Sequence, residues 1–202
     1  VRREDGALDV HSVWMTIKGE GPFAGRPAVF VRLAGCNLLC PSCDTEYTAS
    51  RKLYSVFELA TEVCRQWSPS KWRKLIVITG GEPFRQNLDP FVEEMLSLEV
   101  CQIQVETNGT LDGGGWLHCL SVVCSPKTPK LSPQLQPFIT AYKYIVAHGE
   151  VSPDDGLPLT TLGNSCLVAR PHRGFVGDVF VQPMDEGDPV RNALHMQAAV
   201  ES

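Results

Sequence analysis

Short apolar runs alternate with amphipathic stretches along the 202-residue chain. Ala28 to Leu33 (AVFVRL) and Leu75 to Thr79 (LIVIT) read as buried strands, being short and rich in β-branched residues. Cys101 to Glu106, Leu120 to Cys124, Ala141 to Val146 and Val179 to Gln182 add four more. From Val56 to Gln66 the period changes, with apolar residues at 56, 59, 60 and 63, which predicts a helix. Ser55 is placed to cap it, and Glu58, three residues on, completes a capping box. Asp89 to Leu98 predicts a second helix, and the chain from Arg191 onward is again helical in character. Repeated strand–helix units favour a parallel sheet, so the expected class is α/β, curled toward a partial (β/α)6 barrel in a compact variant. The stretches 107–119, 125–140 and 147–178 are richer in Gly, Pro and polar residues and are expected to be irregular. There is no internal repeat, and a single domain over residues 1–202 is expected.

The polar residues collect where strands end. Arg32 and Gly35-Cys36 follow the first strand, Gly80-Gly81-Glu82-Pro83 the second and Thr107-Asn108-Gly109 the third. Ser125-Pro126-Lys127 follows the fourth and Gln182-Pro183-Met184-Asp185 the sixth. Parallel α/β folds build their sites at the C-terminal ends of strands. One Gly- and Pro-containing segment would be explained as a turn; five on one rim predict a site.

Composition narrows the classes. The formal net charge of −5 argues against gripping a nucleic-acid backbone. No apolar run reaches bilayer length, and Val-Arg-Arg-Glu-Asp-Gly at the start lacks the apolar segment of a secretory signal, so a cytoplasmic protein is expected. In that setting the eight cysteines read as metal ligands or free thiols rather than disulfides. Cys64, Cys101, Cys119, Cys124 and Cys166 are scattered and read as small buried hydrophobes.

Cys36, Cys40 and Cys43 are different: C-x3-C-x2-C sits in one loop directly after a buried strand. Three thiolates there can ligate three irons of a 4Fe-4S cubane and leave the fourth open. Structural zinc prefers four closed ligands, and the five histidines (11, 118, 148, 172, 195) are dispersed rather than paired.

This loop, together with Gly80-Gly81-Glu82-Pro83, resembles the radical S-adenosylmethionine superfamily. A narrower set is similar to the 7-carboxy-7-deazaguanine synthase family. It comprises Lys18-Gly19-Glu20-Gly21, Gly25-Arg26-Pro27-Ala28-Val29-Phe30, Arg32-Leu33-Ala34-Gly35-Cys36-Asn37 and Cys43-Asp44-Thr45. Glu106-Thr107-Asn108-Gly109, Ser125-Pro126-Lys127 and Gln182-Pro183-Met184 complete it in the family's order. The resemblance implies a lyase of queuosine and 7-deazapurine biosynthesis. Its reaction is the radical ring contraction of 6-carboxy-5,6,7,8-tetrahydropterin to 7-carboxy-7-deazaguanine with loss of ammonia. The implied cofactors are a 4Fe-4S cluster, S-adenosylmethionine and Mg2+. The implied partners are the pterin substrate, an external electron donor such as flavodoxin, and a second copy of the chain.

The resemblance also implies roles. Cys36, Cys40 and Cys43 would hold the cluster. Ser42, Cys43, Asp44, Gly81, Ser125, Pro126, Lys127, Gln182, Pro183, Met184 and Asp185 would line the S-adenosylmethionine site. Thr45 would offer its hydroxyl to Mg2+, a cation that prefers oxygen. Ile17, Lys18 and Gly19 would meet the pterin through backbone groups, with Glu20 and Thr79 completing the pocket. Arg32 would pair with the substrate carboxylate. Ser42 stands where the superfamily usually has an aromatic, and Lys18 where the family tends to carry Gln. The family continues past its last helix into a Gln-x-His-Lys segment that closes over substrate, which a sequence ending at Ser202 is expected to lack. Two alternatives share the cysteine motif: an activase that makes a glycyl radical on another protein, and a non-catalytic iron–sulfur or zinc module. The activase would not account for the Lys18-Gly19-Glu20-Gly21 element or for Cys43-Asp44-Thr45, and metal analysis separates the module, about four irons and no zinc favouring the enzymes.

Overall fold

The computed structural model describes residues 2–67, 74–98 and 101–202, without the side chain of Cys101. Eight strands form one open sheet: β1 (Leu8–Ile17), β2 (Pro27–Leu33), β3 (Lys52–Tyr54), β4 (Lys74–Gly80), β5 (Cys101–Thr107), β6 (Ser121–Cys124), β7 (Ile139–Val146) and β8 (Asp178–Pro183), in the order β3-β1-β2-β4-β5-β6-β7-β8. From β2 through β8 every pairing is parallel; β1 and β3 are antiparallel additions at one edge. The six expected strands are therefore the parallel part of the sheet, while β1 and β3 are additional. β1 reads LDVHSVWMTI, without the dense apolar run that marks the others, because as a strand near the edge it buries mainly Leu8 and Val10.

Helix α1 (Val56–Gln66) buries Leu59, Ala60 and Val63, and Ser55 with Glu58 forms the capping box. Helix α2 (Asp89–Ser97) buries Phe91, Val92 and Met95. Both pack on the sheet face made by Val29, Val31, Leu33, Ile76, Ile78, Ile103 and Val105. The strand–helix alternation stops there. Between β5 and β8 the helical elements among the described residues are three-residue 3-10 turns, and the next α-helix is α3 (Pro189–Glu201), capped by Asp188. Over this half of the sheet the core is closed by loop residues: Leu117, Leu131, Leu135 and Val168, with Phe175 edge-on to Tyr142 at 4.9 Å. The Tyr144 hydroxyl donates to the Ala169 carbonyl at 2.8 Å. A strand can be roofed by any well-packed apolar chain, so the irregular stretches remain compatible with a buried sheet.

The expectation for the scattered cysteines is partly corrected. Cys124 is a buried core residue, but Cys64 and Cys119 are exposed and Cys166 is half-buried; the side chain of Cys101 lies outside the described residues. Exposed small thiols on a helix and a 3-10 turn are not core fillers. The described cysteines are all free.

Candidate active site

Strand residues alternate between faces, so the residues next to the core positions point the other way. That second face carries Trp14 and Phe30 stacked 5.3 Å apart, then Arg32, Thr79, Gln104, Glu106, Lys143 and Gln182. Arg32 is in register with Thr79, and Ile145 with Gln182, which places them on neighbouring strands of one polar surface. Among the described residues four buried side-chain atoms lack a hydrogen-bond partner. Three of them, Arg32 Nε, Gln104 Oε1 and Gln182 Oε1, belong to this face. Native proteins rarely leave such atoms unpaired. Several on one surface mark a place shaped for a polar ligand.

At the centre is a chain of alternating charge. Lys18, 1% exposed, donates to Glu106 Oε1 at 2.6 Å. Lys143 lies 3.5 Å from Glu106 Oε2 and 2.5 Å from Glu20 Oε1. Gln104 Nε2 donates to Glu106 Oε1 at 3.0 Å and Thr79 Oγ1 donates to Oε2 at 3.4 Å. Burial acts to raise the Glu106 carboxyl, but the ammoniums of Lys143 and Lys18 outweigh it and hold it below the usual carboxylate range. Burial likewise acts to lower Lys143, and the carboxylates of Glu106 and Glu20 overcome it, so its pKa ends raised. Arg32 stands beside this chain with its guanidinium 5.1 Å from the Trp14 ring centroid, which fixes its plane.

The cysteine loop leaves β2 at the rim of the same face. Cys36 and Cys40 are half-buried and Cys43 is exposed. Leu38 N donates to Cys36 Sγ and Asn164 Nδ2 to Cys40 Sγ, each at 3.4 Å. Gly80 and Gly81 let the end of β4 pass against this loop. A Cβ on Gly80, whose φ is +137°, would lie 2.2 Å from the Leu33 carbonyl oxygen. One on Gly81 would lie 2.3 Å from the Gly35 carbonyl oxygen and 2.8 Å from Cys36 Cβ. Glu82, fully buried, ties this turn to the end of β5: it accepts from Phe84 N at 3.0 Å, Thr107 Oγ1 at 2.8 Å and Asn108 N at 2.7 Å. Asn108 Nδ2 in turn reaches Cys36 Sγ at 4.0 Å and Asn37 Oδ1 at 3.0 Å.

On the other side, Ser42 N donates to the Leu162 carbonyl at 3.0 Å, and Cys40 packs with Ile145, Leu162 and Met184. The Ser125-Pro126-Lys127 turn is clasped by Lys127 Nζ, which donates to Ser125 Oγ at 2.5 Å. Burial, with the Lys143 ammonium adding to it, lowers the Lys127 pKa to about 8. Among the described residues no three Cys, His, Asp or Glu side chains form a ligand set for a single metal ion. A cubane makes a different demand, since each thiolate takes its own iron. Three thiols on one loop, N–H donors aimed at two of the sulfurs, and close packing under Cys36 fit that demand.

The structure brings most of the expected residues to one rim but not all. Ile17 is 65% exposed and paired in register with Pro27. The Lys18 N–H and carbonyl are both used in a turn, to Arg26 O and from Gly25 N, each at 2.8 Å, so Lys18 presents its side chain rather than its backbone. Asp185 directs its carboxylate to Gly187 N and Asn192 Nδ2 at the start of α3. Thr45 Oγ1 donates to Asp44 Oδ1 at 3.0 Å on the exposed side of the loop. Sequence reasoning assigned no role to Gln104, Glu106, Glu82 or Lys143. For three of these the signal was present: Gln104 and Glu106 occupy every second place in QIQVET, and Lys143 interrupts the apolar run ITAYKYIV.

The 4Fe-4S single cluster domain family matches residues 17–109. The chain is 43% identical over 194 residues to the 7-carboxy-7-deazaguanine synthase of Rhodospirillum rubrum, covering 92% of this chain and 79% of that protein. It is 36% identical over 201 residues to the enzyme of the same name from Rickettsia prowazekii, covering 96% and 80%. The crystal structure of QueE from Escherichia coli superposes with a TM-score of 0.67 at 21% identity, covering 96% of this chain and 88% of that one, and so shares its fold. No helix among the described residues is long and apolar enough to cross a membrane. With the cysteine loop, the Gly-Gly-Glu turn and the polar sheet face in one place, and with relatives matched along most of their own length, the chain belongs to the 7-carboxy-7-deazaguanine synthase family.

Proposed function

We propose that the protein converts 6-carboxy-5,6,7,8-tetrahydropterin to 7-carboxy-7-deazaguanine with release of ammonia. The observation that carries this reading is the sheet face holding Arg32, Thr79, Glu106 and three unpaired buried polar atoms beside the three-cysteine loop. Cys36, Cys40 and Cys43 would hold a 4Fe-4S cluster. When bound, the cluster and S-adenosylmethionine supply a radical that takes hydrogen from substrate. The rest is positioning by the chain itself.

Arg32 meets the substrate carboxylate, its plane preset by Trp14. Glu106, held ionised by two ammoniums, accepts hydrogen bonds from N–H groups of the pterin. Gly19 has no heavy atom within 4 Å of where a Cβ would stand and leaves room for the flat ring. Ser42, Asp44, Gly81, the Ser125-Pro126-Lys127 turn and the backbone from Gln182 to Asp185 line the S-adenosylmethionine side. Homodimerisation and a one-electron donor such as flavodoxin belong to the same proposal.

The test is anaerobic reconstitution followed by assay with S-adenosylmethionine, reductant and the carboxytetrahydropterin. 7-Carboxy-7-deazaguanine should appear with one ammonia per turnover. Cofactor cleavage without any deazaguanine, under conditions where a family member succeeds, would overturn the substrate assignment. Magnesium is tested separately. Thr45→Val removes the hydroxyl at nearly constant shape and should abolish acceleration by Mg2+. A variant that responds to Mg2+ as the parent does would exclude Thr45 as its ligand.

A further inference from the structure

The one role given to Lys143 so far is to help hold Glu106 ionised, yet it sits at the middle of the polar face. It comes from β7, within ITAYKYIV, and its side chain is 9% exposed. A lysine so enclosed needs a reason, since burying an ammonium is unfavourable unless it is paired. Neutralising Glu106 is not a sufficient reason. Glu106 already has Lys18 at 2.6 Å, Gln104 at 3.0 Å and Thr79 at 3.4 Å, all closer than Lys143 at 3.5 Å. Two ammoniums against one carboxylate would leave the buried group with a surplus positive charge.

Glu20 removes that surplus. It lies on the segment between β1 and β2, is 40% exposed, and meets Lys143 at 2.5 Å across 123 positions of sequence. The result is a balanced set, Lys18–Glu106–Lys143–Glu20, beside Arg32, whose Nε is buried and unpartnered. Among the described residues Lys18 and Lys143 each hold a carboxylate, and Arg32 holds none. We propose that Lys143 is a positioning residue: by holding Glu20 it draws the residue 18–21 segment over the pocket, and by sharing its charge with two carboxylates it leaves Arg32 as the one anchor for the substrate carboxylate. This inference rests on the pterin reading of the pocket. It adds that the orientation of the substrate depends on a lysine that does not touch it.

The test uses two unreactive fluorescent probes, 6-carboxypterin and pterin lacking the carboxylate, titrated into the protein. The parent should prefer 6-carboxypterin. Lys143→Met should weaken 6-carboxypterin binding by about tenfold, the scale of one charge-assisted contact, and shrink the preference over pterin. Glu20→Gln should do the same, because it leaves Lys143 as a competing cation. In the double variant the losses should not multiply, since both act through one pair. Multiplied losses, or 6-carboxypterin binding by a folded Lys143→Met variant equal to the parent's, would overturn the inference. If Lys143→Met does not fold, as judged by circular dichroism, Glu20→Gln decides alone, and unchanged binding and preference there overturn it. A parent that binds neither probe overturns the pterin reading, and this inference falls with it.

Discussion

Replacing Cys36, Cys40 or Cys43 by Ala should remove the broad visible absorption of the reconstituted protein and abolish turnover. The three thiols stand on one loop whose sulfurs receive N–H donors from Leu38 and Asn164, and whose backbone is pressed against Gly81. Burial pushes the free Cys36 thiol up, so the thiol keeps its proton until a bound metal ion displaces it. Cys64→Ala and Cys119→Ala are the matched controls, being exposed thiols away from the loop. They should retain full iron content. Iron content unchanged in all three loop variants would remove the loop from the site; loss in the controls would place ligands elsewhere.

Arg32→Lys should raise the Michaelis constant for the pterin by about 10- to 100-fold, the size of one lost hydrogen bond to a charged group. Lysine keeps the charge but cannot present two parallel N–H groups, and it loses the flat contact with Trp14. The buried Nε, unpartnered in the protein alone, is the atom the substrate is expected to satisfy. Steady-state kinetics under anaerobic conditions give the answer. An unchanged Michaelis constant would mean that the carboxylate binds elsewhere, and Lys127 would be the next cation to examine.

Much of this was legible from residues alone. The parallel strands were legible because strand positions buried on both faces are apolar in an unbroken run, as Leu75 to Ile78 are. The cysteine loop and the Gly-Gly-Glu turn were legible because their chemistry is local. β1 and β3 were not, since edge strands are held by backbone pairing that leaves little trace in side-chain pattern. Glu106 and Lys143 were visible as polar interruptions, but their meaning depends on which face they point to. That is set by register with other strands, Glu106 with Val123 and Lys143 with Phe180. The Glu82 clasp was hidden for a similar reason: its partners, Thr107 and Asn108, lie 25 and 26 residues away.

The loop that follows β2 does not rest only on its own strand. Ser42 is held by the Leu162 carbonyl, Cys40 packs under Met184, and a Cβ on Gly163 would lie 3.2 Å from Ser42 Oγ. The cluster-bearing segment thus abuts the part of the sheet where loops replace helices. By mass action, whatever binds the folded loop and not the unfolded chain stabilises everything that folds with it. Iron loading should therefore act as a thermodynamic staple on the β7–β8 region, which the loop meets at Ile145, Leu162 and Met184. Amide exchange in β7 and β8 should then slow as iron is loaded, and oxidative loss of the cluster should loosen that part of the sheet.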